Sequence, residues 1–372
     1  MSSKTWLIVL VLVVVVIVGL ILIFSLRADE EPVEPEPVEP VVIEPEPNTL
    51  LSMKVETAPE LDAESLDSAW NDAPELEVSL ANGDNFVAGS TDATLKSVYT
   101  DDEIFFLVQW DDPTESLERT LWEKQGESDW SRLPAAQYYE DKFAFIWEID
   151  DNGIQGFSTQ GCAVACHPGE GVPEGGDFGK KYLPNEEEYA DIWHWKVART
   201  NSLNLSASID AFVDDQALDS MPYDPEVREG RAGRYSDPGE PSYLDNRTED
   251  ETLPLYQWEA MPDDPRDQNF LLDDEKVDFV DEDWQPGDRL PGVYILNATG
   301  DRADIMASSY YADGTWTLVF KRDLDTGSTE TPPVDVQFTE MDRVYYFGVA
   351  AFDNAQVRHA TGPDALMLRF HP

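Results

Sequence analysis

The sequence predicts a mainly β chain: an antiparallel β-sandwich with a long irregular insertion, preceded by a single N-terminal transmembrane helix. Three observations carry this prediction. Runs rich in β-branched and aromatic residues, separated by turn signals, recur from about residue 50 to the C-terminus. No stretch of that span keeps a sustained apolar period of ~3.6 residues. The first 27 residues contain an apolar run with the composition of a membrane span.

From Trp6 to Leu26 the chain is almost entirely Ile, Leu, Val and Phe, broken by Gly19 and Ser25. At ~1.5 Å per helical residue, such a run crosses a hydrocarbon core of ~30 Å. A cleaved signal peptide has a shorter apolar run of about 7–15 residues and a small-residue cleavage site. Ser25-Leu26-Arg27 is not such a site. Residues 1–27 therefore read as a cytoplasmic tip and an uncleaved anchor. A long cleaved signal sequence is the alternative and leaves the main domain in the same compartment. Residues 28–50 form an acidic, Pro-rich stalk in which proline forbids helix and like charges repel. About 20 residues at ~3.1 Å each make a polyproline-type spacer of up to ~60 Å. The protein is expected in the cell membrane as a single-pass chain, with its large domain outside the cytoplasm, periplasmic or at the cell surface.

Residues 51–372 form that domain. Asp92–Val108 reads as two strands around the turn Thr100-Asp101-Asp102. Lys142–Ile149, Ile192–Ala198, Ala303–Tyr311, Thr315–Lys321, Arg343–Phe352 and Ala365–Phe370 follow, with Asp313-Gly314 marking a hairpin turn. This is the pattern of an immunoglobulin-like antiparallel sandwich. Residues 200–290 are rich in Asp, Pro, Gly and Tyr and poor in strand signals, so they are expected as an insertion lying against the sandwich. Asn-x-Ser/Thr sequons at Asn204, Asn246 and Asn297 fit a surface protein.

The chain carries 76 acidic against 25 basic residues, a formal net charge of -51. Nucleic acid is excluded as a partner, because phosphate recognition needs a surplus of Lys and Arg. The acidity suits either high salt, where self-repulsion is screened, or a basic protein partner. The two cysteines, Cys162 and Cys166, are too few for a disulfide framework, and both lie in one short motif.

Residues 161–169 read Gly-Cys-Ala-Val-Ala-Cys-His-Pro-Gly. Two thiols followed at once by histidine is the arrangement that holds one covalent haem c: each thiol adds to a vinyl group, and the imidazole of His167 reaches the iron. Three residues separate the cysteines here instead of the usual two, which lowers the specificity of the motif. A Cys162–Cys166 disulfide, or a zinc or copper site built on Cys162, Cys166 and His167, are the alternatives. A low-spin haem iron needs a second axial ligand. The remaining histidines are His194 within IWHWK, His359 in a loop after a strong strand, and the penultimate His371. Met221, Met261, Met306 and Met341 are further candidates whose default reading is core packing. Trp193 and Trp195 are expected to shield the iron, and Lys196, Arg231 and Arg234 to pair with the haem propionates.

The segments LDAESLDSAW (61–70), VQWDDPT (108–114), GCAVACHPG (161–169), DIWHWKVART (191–200), REGRAGRYSDPG (228–239), GDRADIMA (300–307), DGTWTLVFKRDL (313–324) and FGVAAFDNAQVRHATGP (347–363), in this order, resemble a family of haem-binding domains. That family includes the ethylbenzene dehydrogenase γ subunit and related cytochromes of molybdenum enzymes. The resemblance implies a β-sandwich holding haem at one end of its sheets. In the γ-subunit branch the haem is non-covalent and its ligands are Met and Lys. Here the Cys-Cys-His motif stands where the Met is expected, and His359 stands where the Lys is expected. The resemblance thus implies His167 and His359 as the axial pair, with His194 as rival for the second place. It also implies electron transfer rather than catalysis by this chain alone, with a basic redox protein, a molybdoenzyme or a quinone-linked complex as partner. LDAESLDSAW also resembles the opening of carbohydrate-binding sandwiches. The alternative is therefore a non-redox carbohydrate- or surface-ligand-binding module with a Cys162–Cys166 disulfide, in which Trp70 and Trp110 read as core residues and not as a sugar platform.

Overall fold

The computed structural model describes residues 46–149, 153–165, 183, 188–200, 236–331, 333–362 and 364–372, the backbone alone of 212–218 and 234–235, and Val15. Contacts divide the chain into two units, Met1–Ile43 and Glu44–Pro372, and all described residues except Val15 belong to the second. The expected anchor and most of the expected stalk lie outside the described residues. Among the described residues no helix is long and apolar enough to cross a membrane.

Thirteen strands make one sheet. In chain order they are β1 (Thr49–Lys54), β2 (Leu76–Ala81), β3 (Ser90–Tyr99), β4 (Glu103–Asp111), β5 (Lys142–Glu148), β6 (Ala190–Lys196) and β7 (Phe212–Leu218). They continue with β8 (Arg234–Ser236), β9 (Ile305–Ala312), β10 (Thr315–Asp323), β11 (Tyr345–Phe352), β12 (Ala360–Thr361) and β13 (Leu366–His371). Each β-branched and aromatic run singled out in the sequence forms a strand. The β9–β10 hairpin turns at Asp313 (φ 53°) and Gly314 (φ 83°), the paired positive φ that a two-residue turn demands.

Hydrogen bonding runs β11-β12-β2-β3-β4-β10-β9-β7-β6-β5, and β5 pairs back onto β11, so the strands close on themselves as a flattened, sandwich-like ring. One layer holds β3, β4, β10 and β9, and the facing layer holds β6, β5 and β11. Period-two alternation then fills the space between them. Phe106 of β4 stacks on Phe320 of β10 at 5.0 Å between ring centroids. It meets Phe145 and Trp147 of β5 at 5.9 Å each, and Trp193 of β6 at 5.7 Å. Trp110, Trp195 and Trp316 continue the same core, all at most 1% exposed. Fully burying an aromatic side chain of this kind contributes roughly 1.5–3 kcal/mol.

The structure departs from the sequence reading in three respects. First, the sheet is not wholly antiparallel: β1 runs parallel to both β13 and β3. No hairpin joins β1 to either neighbour, so nothing local imposes the antiparallel sense. β1 also begins at Thr49, inside the span expected as stalk. Second, the expected irregular insertion (200–290) is partly ordered sheet. It supplies β7 and β8 to the main sheet, and Tyr243–Asp245, Tyr256–Trp258, Leu271–Leu272, Lys276–Asp278 and Arg289–Leu290 are short strands. Trp258, Leu271 and Leu290 bury against Trp122 and Trp130 in a satellite core. Two- and three-residue strands give too little alternation to read from sequence. Third, Asn246 is no glycan acceptor. It is 0% exposed; its amide donates to Tyr256 O (3.0 Å) and Pro291 O (2.9 Å) and accepts from the N–H groups of Leu255 and Tyr256. Asn297 is exposed, and Asn204 lies outside the described residues.

Candidate functional site

The outward face of β5, β6 and β11 carries the side chains that the core does not take. Phe143, Phe145 and Trp147 point inward, which sends Ala144 and Ile146 outward. Trp193 and Trp195 point inward, which sends Ile192, His194 and Lys196 outward. Strand register lines up His194, Ala144, Ala350 and Thr361 across β6, β5, β11 and β12, and Thr361 pairs with Ala81 of β2. Beside this row lie Ile192, Ile146 and Gly348. Small side chains in the middle of a broad face leave depth. The result is a cavity of about 610 Å³ lined by Ala144, Ile146, Ile192, His194, Gly348 and Ala350, with Phe352 and His359 on one side and Cys162 and Ala163 on another.

The first half of the cysteine motif is fastened to this face. A helical turn, Phe157–Gln160, drives Phe157 (0% exposed) into an apolar cluster with Ile146, Ile154, Ala165, Leu183, Ala190 and Ile192. Gly161 follows with φ 54°, and a Cβ there would stand 2.9 Å from the carbonyl oxygen of Asp364, so only glycine makes the corner. Cys162 then sits in the turn Gly161–Ala163, packed on Gly348, where an added Cβ would lie 3.3 Å from the Cys162 Cβ. Cys166 and His167 lie outside the described residues.

His359 is half-buried, its ring 4.6 Å from that of Phe352, which is itself 5.5 Å from the ring of His194. The Nδ1 of His359 lies 2.8 Å from the Val357 carbonyl oxygen. A carbonyl only accepts, so Nδ1 carries a proton, and in the neutral ring the lone pair is then on Nε2. This is the tautomer that metal-ligating histidines are commonly held in, with the far ring nitrogen anchored to a backbone carbonyl. His194 is 6% exposed on the cavity floor.

The structure thus brings together Cys162, His194 and His359, three of the residues singled out in the sequence. It does not bring others. Trp193 and Trp195 face the sandwich core, not the cavity, because they alternate with His194 along one strand. Lys196 is buried, its ammonium lies 5.4 Å from the Tyr243 ring centroid, and it is not among the residues that line the cavity. Met261 and Met341 are exposed, and Met306 sits on β9, outside the cavity. Arg231 and Met221 lie outside the described residues, as does the Arg234 side chain. Sequence reasoning missed Ala144, Gly348 and Ala350, the residues that make the space. Their signal is two small residues at alternate positions inside an aromatic strand (FGVAAF), paired with a third. It also missed Lys142, in register with Lys196 and Phe352, whose ammonium lies 4.0 Å from the Phe352 ring centroid and donates to Gln356 O at 3.1 Å.

The cavity has the volume and the lining chemistry of a cofactor cleft. Its volume falls in the range of cofactor clefts, its walls are largely apolar, and one thiol and two imidazoles reach it.

No curated protein matches the chain. Similar solved structures include two family 9 carbohydrate-binding modules from Caldicellulosiruptor kristjanssonii. One, in complex with cellotriose, has 7% identity and a TM-score of 0.31, covering 87% of this chain and 95% of that chain. The other, in complex with glucose, has 8% identity and a TM-score of 0.33, covering 87% and 97%. Likeness at that level carries nothing about function. Residues 67–362, most of the chain, match the family model described as ethylbenzene dehydrogenase, and the chain belongs to the ethylbenzene dehydrogenase family.

Proposed function

We propose that the protein is a membrane-anchored, extracytoplasmic monohaem c-type cytochrome that passes electrons to or from a redox partner. Haem is attached at Cys162 and Cys166, with His167 and His359 as iron ligands. The observation that carries this reading is the convergence of Cys162 and His359, far apart in sequence, on one apolar-walled cavity. When bound, the haem supplies a one-electron redox couple. The chain's own residues do the rest. The Val357 carbonyl holds the His359 tautomer that presents Nε2. Gly348 and Gly161 let the cysteine turn lie against the sheet, and Ile146, Ile192 and Phe352 keep water from the cavity floor. Two imidazole ligands would leave no open position for a substrate, and the chain would then act as an electron carrier. Membership of the ethylbenzene dehydrogenase family supports a molybdoenzyme complex as partner. Trp70 and Trp110, at 3% and 1% exposed, are core residues, as both this reading and the carbohydrate-binding alternative expect.

Expression in a host that matures cytochromes c, followed by a pyridine haemochrome spectrum, tests the reading. A spectrum with both vinyl groups consumed is expected, and a colourless protein ends the proposal. C162A/C166A should lose haem staining on a denaturing gel. H359A should turn a low-spin spectrum high-spin while H194A leaves it low-spin; the reverse outcome moves the second ligand to His194.

A further inference from the structure

Three aspartates outside the cavity converge where strands end. Asp112 follows β4, Asp141 precedes β5 and Asp353 follows β11. Because Lys142 pairs with Phe352, the last two sit side by side at one end of the β5–β11 ladder. One carboxylate oxygen from each of the three lies within 4.8 Å of the others. Asp112 and Asp141 are 0% exposed and Asp353 is 2% exposed.

Their hydrogen-bond partners among the described residues are neutral. Asp141 accepts from the backbone N–H groups of Ser116 (2.7 Å) and Asn354 (2.9 Å) and from Trp316 Nε1 (3.1 Å). Asp353 accepts from Thr114 Oγ1 at 3.2 Å. Asp112 accepts from the Thr114 N–H through Oδ1 at 3.1 Å, while its Oδ2 is shielded from solvent and has no hydrogen-bond partner among the described residues. Burial first, then the charge of a neighbouring carboxylate, raises both Asp112 and Asp141, the former to about 8. A chain holds three such carboxyl groups together either by retaining protons or by binding a cation.

We infer that Asp112, Asp141 and Asp353 bind one calcium ion, and that this ion fastens the loop presenting His359. The donor set is all oxygen, which selects a hard cation and not zinc or copper. Two oxygens bound to one calcium at ~2.4 Å each stand at most ~4.8 Å apart, and the three carboxylate oxygens lie within that limit of one another. The donors come from three strand ends, with the hydroxyls of Thr114 and Ser116 close by at 3.1 Å from each other. An irregular set of that kind suits calcium better than the strict octahedron of magnesium. The loop that leaves Asp353 is tied to the same cluster: the Asn354 N–H donates to Asp141, and the Asn354 carboxamide bonds the Tyr139 N–H and Gln137 O. The link to His359 rests on the cytochrome reading; the cation site does not.

Terbium, a luminescent stand-in for calcium, tests the site on the purified full chain after chelator treatment. The indole of Trp316, hydrogen-bonded to Asp141, is placed to sensitise its emission. A single saturable emission is expected, displaced by calcium, lost in D112N and in D353N, and kept in the surface control D273N. Calcium at ~100-fold its dissociation constant should raise the Tm by about 5 °C. Hydrogen exchange over 354–361 should slow with calcium in the wild type. Should D112N or D353N fail to fold, the wild-type titration and Tm shift decide alone. Emission that is absent, or undiminished in both variants, overturns the site, as does a calcium-insensitive wild type with a stabilised D112N, which marks a proton-sharing cluster. Unchanged exchange at 354–361 overturns the loop coupling. None of these signals comes from haem, so a colourless protein would end the cytochrome reading and leave this one standing.

Discussion

Arg322 is wholly buried, a guanidinium inside a sandwich of aromatic rings, and its neighbours explain why that is tolerable. Its Nη1 lies 3.2 Å from Asp191 Oδ2, and its plane lies 4.8 Å from the Trp193 ring centroid. The same Asp191 oxygen accepts from Trp193 Nε1 (2.9 Å) and the Val336 N–H (3.0 Å). A second acid, Asp335, sits beside this pair, and there the charge is less welcome. Burial above all, then the Asp191 charge, raises Asp335 to about 6, against the pull of hydrogen bonding from Thr326 and the Arg322 charge. An unfolded aspartate titrates near ~3.9. The folded protein therefore keeps a proton that the unfolded chain has lost. The stability this contributes is complete below ~4 and lost as pH rises through about 6. D335N should remove that slope, on the order of 2 kcal/mol, from denaturation curves taken across this window. A variant with the wild-type slope would show that Asp335 is not the titrating group.

At the scale of elements, the cavity is a consequence of register. The row His194, Ala144, Ala350, Thr361 and Ala81 crosses five strands, and its middle is small. A350L puts three more carbons onto the floor. Overpacking a filled site costs ~1–3 kcal/mol, whereas an open floor has room for the side chain. With haem in the cavity as proposed, haem content per chain, read as the ratio of Soret to protein absorbance, should fall several-fold, with the Tm of haem-free protein nearly unchanged. Full haem content in A350L would place the cofactor elsewhere. The turn at Gly161 and the contact of Cys162 with Gly348 belong to the same element-level logic. The sheet supplies a flat seat, and two glycines let the motif lie on it.

For the whole molecule, charge dominates. A net charge of -51 on 372 residues makes the compact state repel itself. Raising salt from ~0.01 M to ~1 M shrinks the Debye length from about 30 Å to about 3 Å. The Tm should climb across that range, steeply at first. A flat or falling Tm would mean that the acids are compensated by bound cations or by local pairing. The closed ring of strands also limits edge-to-edge association, because a sheet that pairs back on itself presents few open edges to another copy.

Much of this architecture is local and so was legible in the sequence. Alternating aromatic and small residues specify a strand wherever they occur, and Asp313-Gly314 specifies its turn, because both depend on backbone sterics within a few residues. The Cys-Cys-His motif is likewise contiguous, so the proposal built on it starts from the sequence alone. The decisions that needed the third dimension all concern pairing between distant segments. Alternation shows that Trp193 and His194 point oppositely, but only packing tells which of them is inside. The parallel entry of β1, the meeting of Cys162 with His194 and His359, and the convergence of Asp112, Asp141 and Asp353 depend on strand registers that no local interaction encodes. Register is set by the sum of many contacts across the sheet, and that sum exists only in the folded chain.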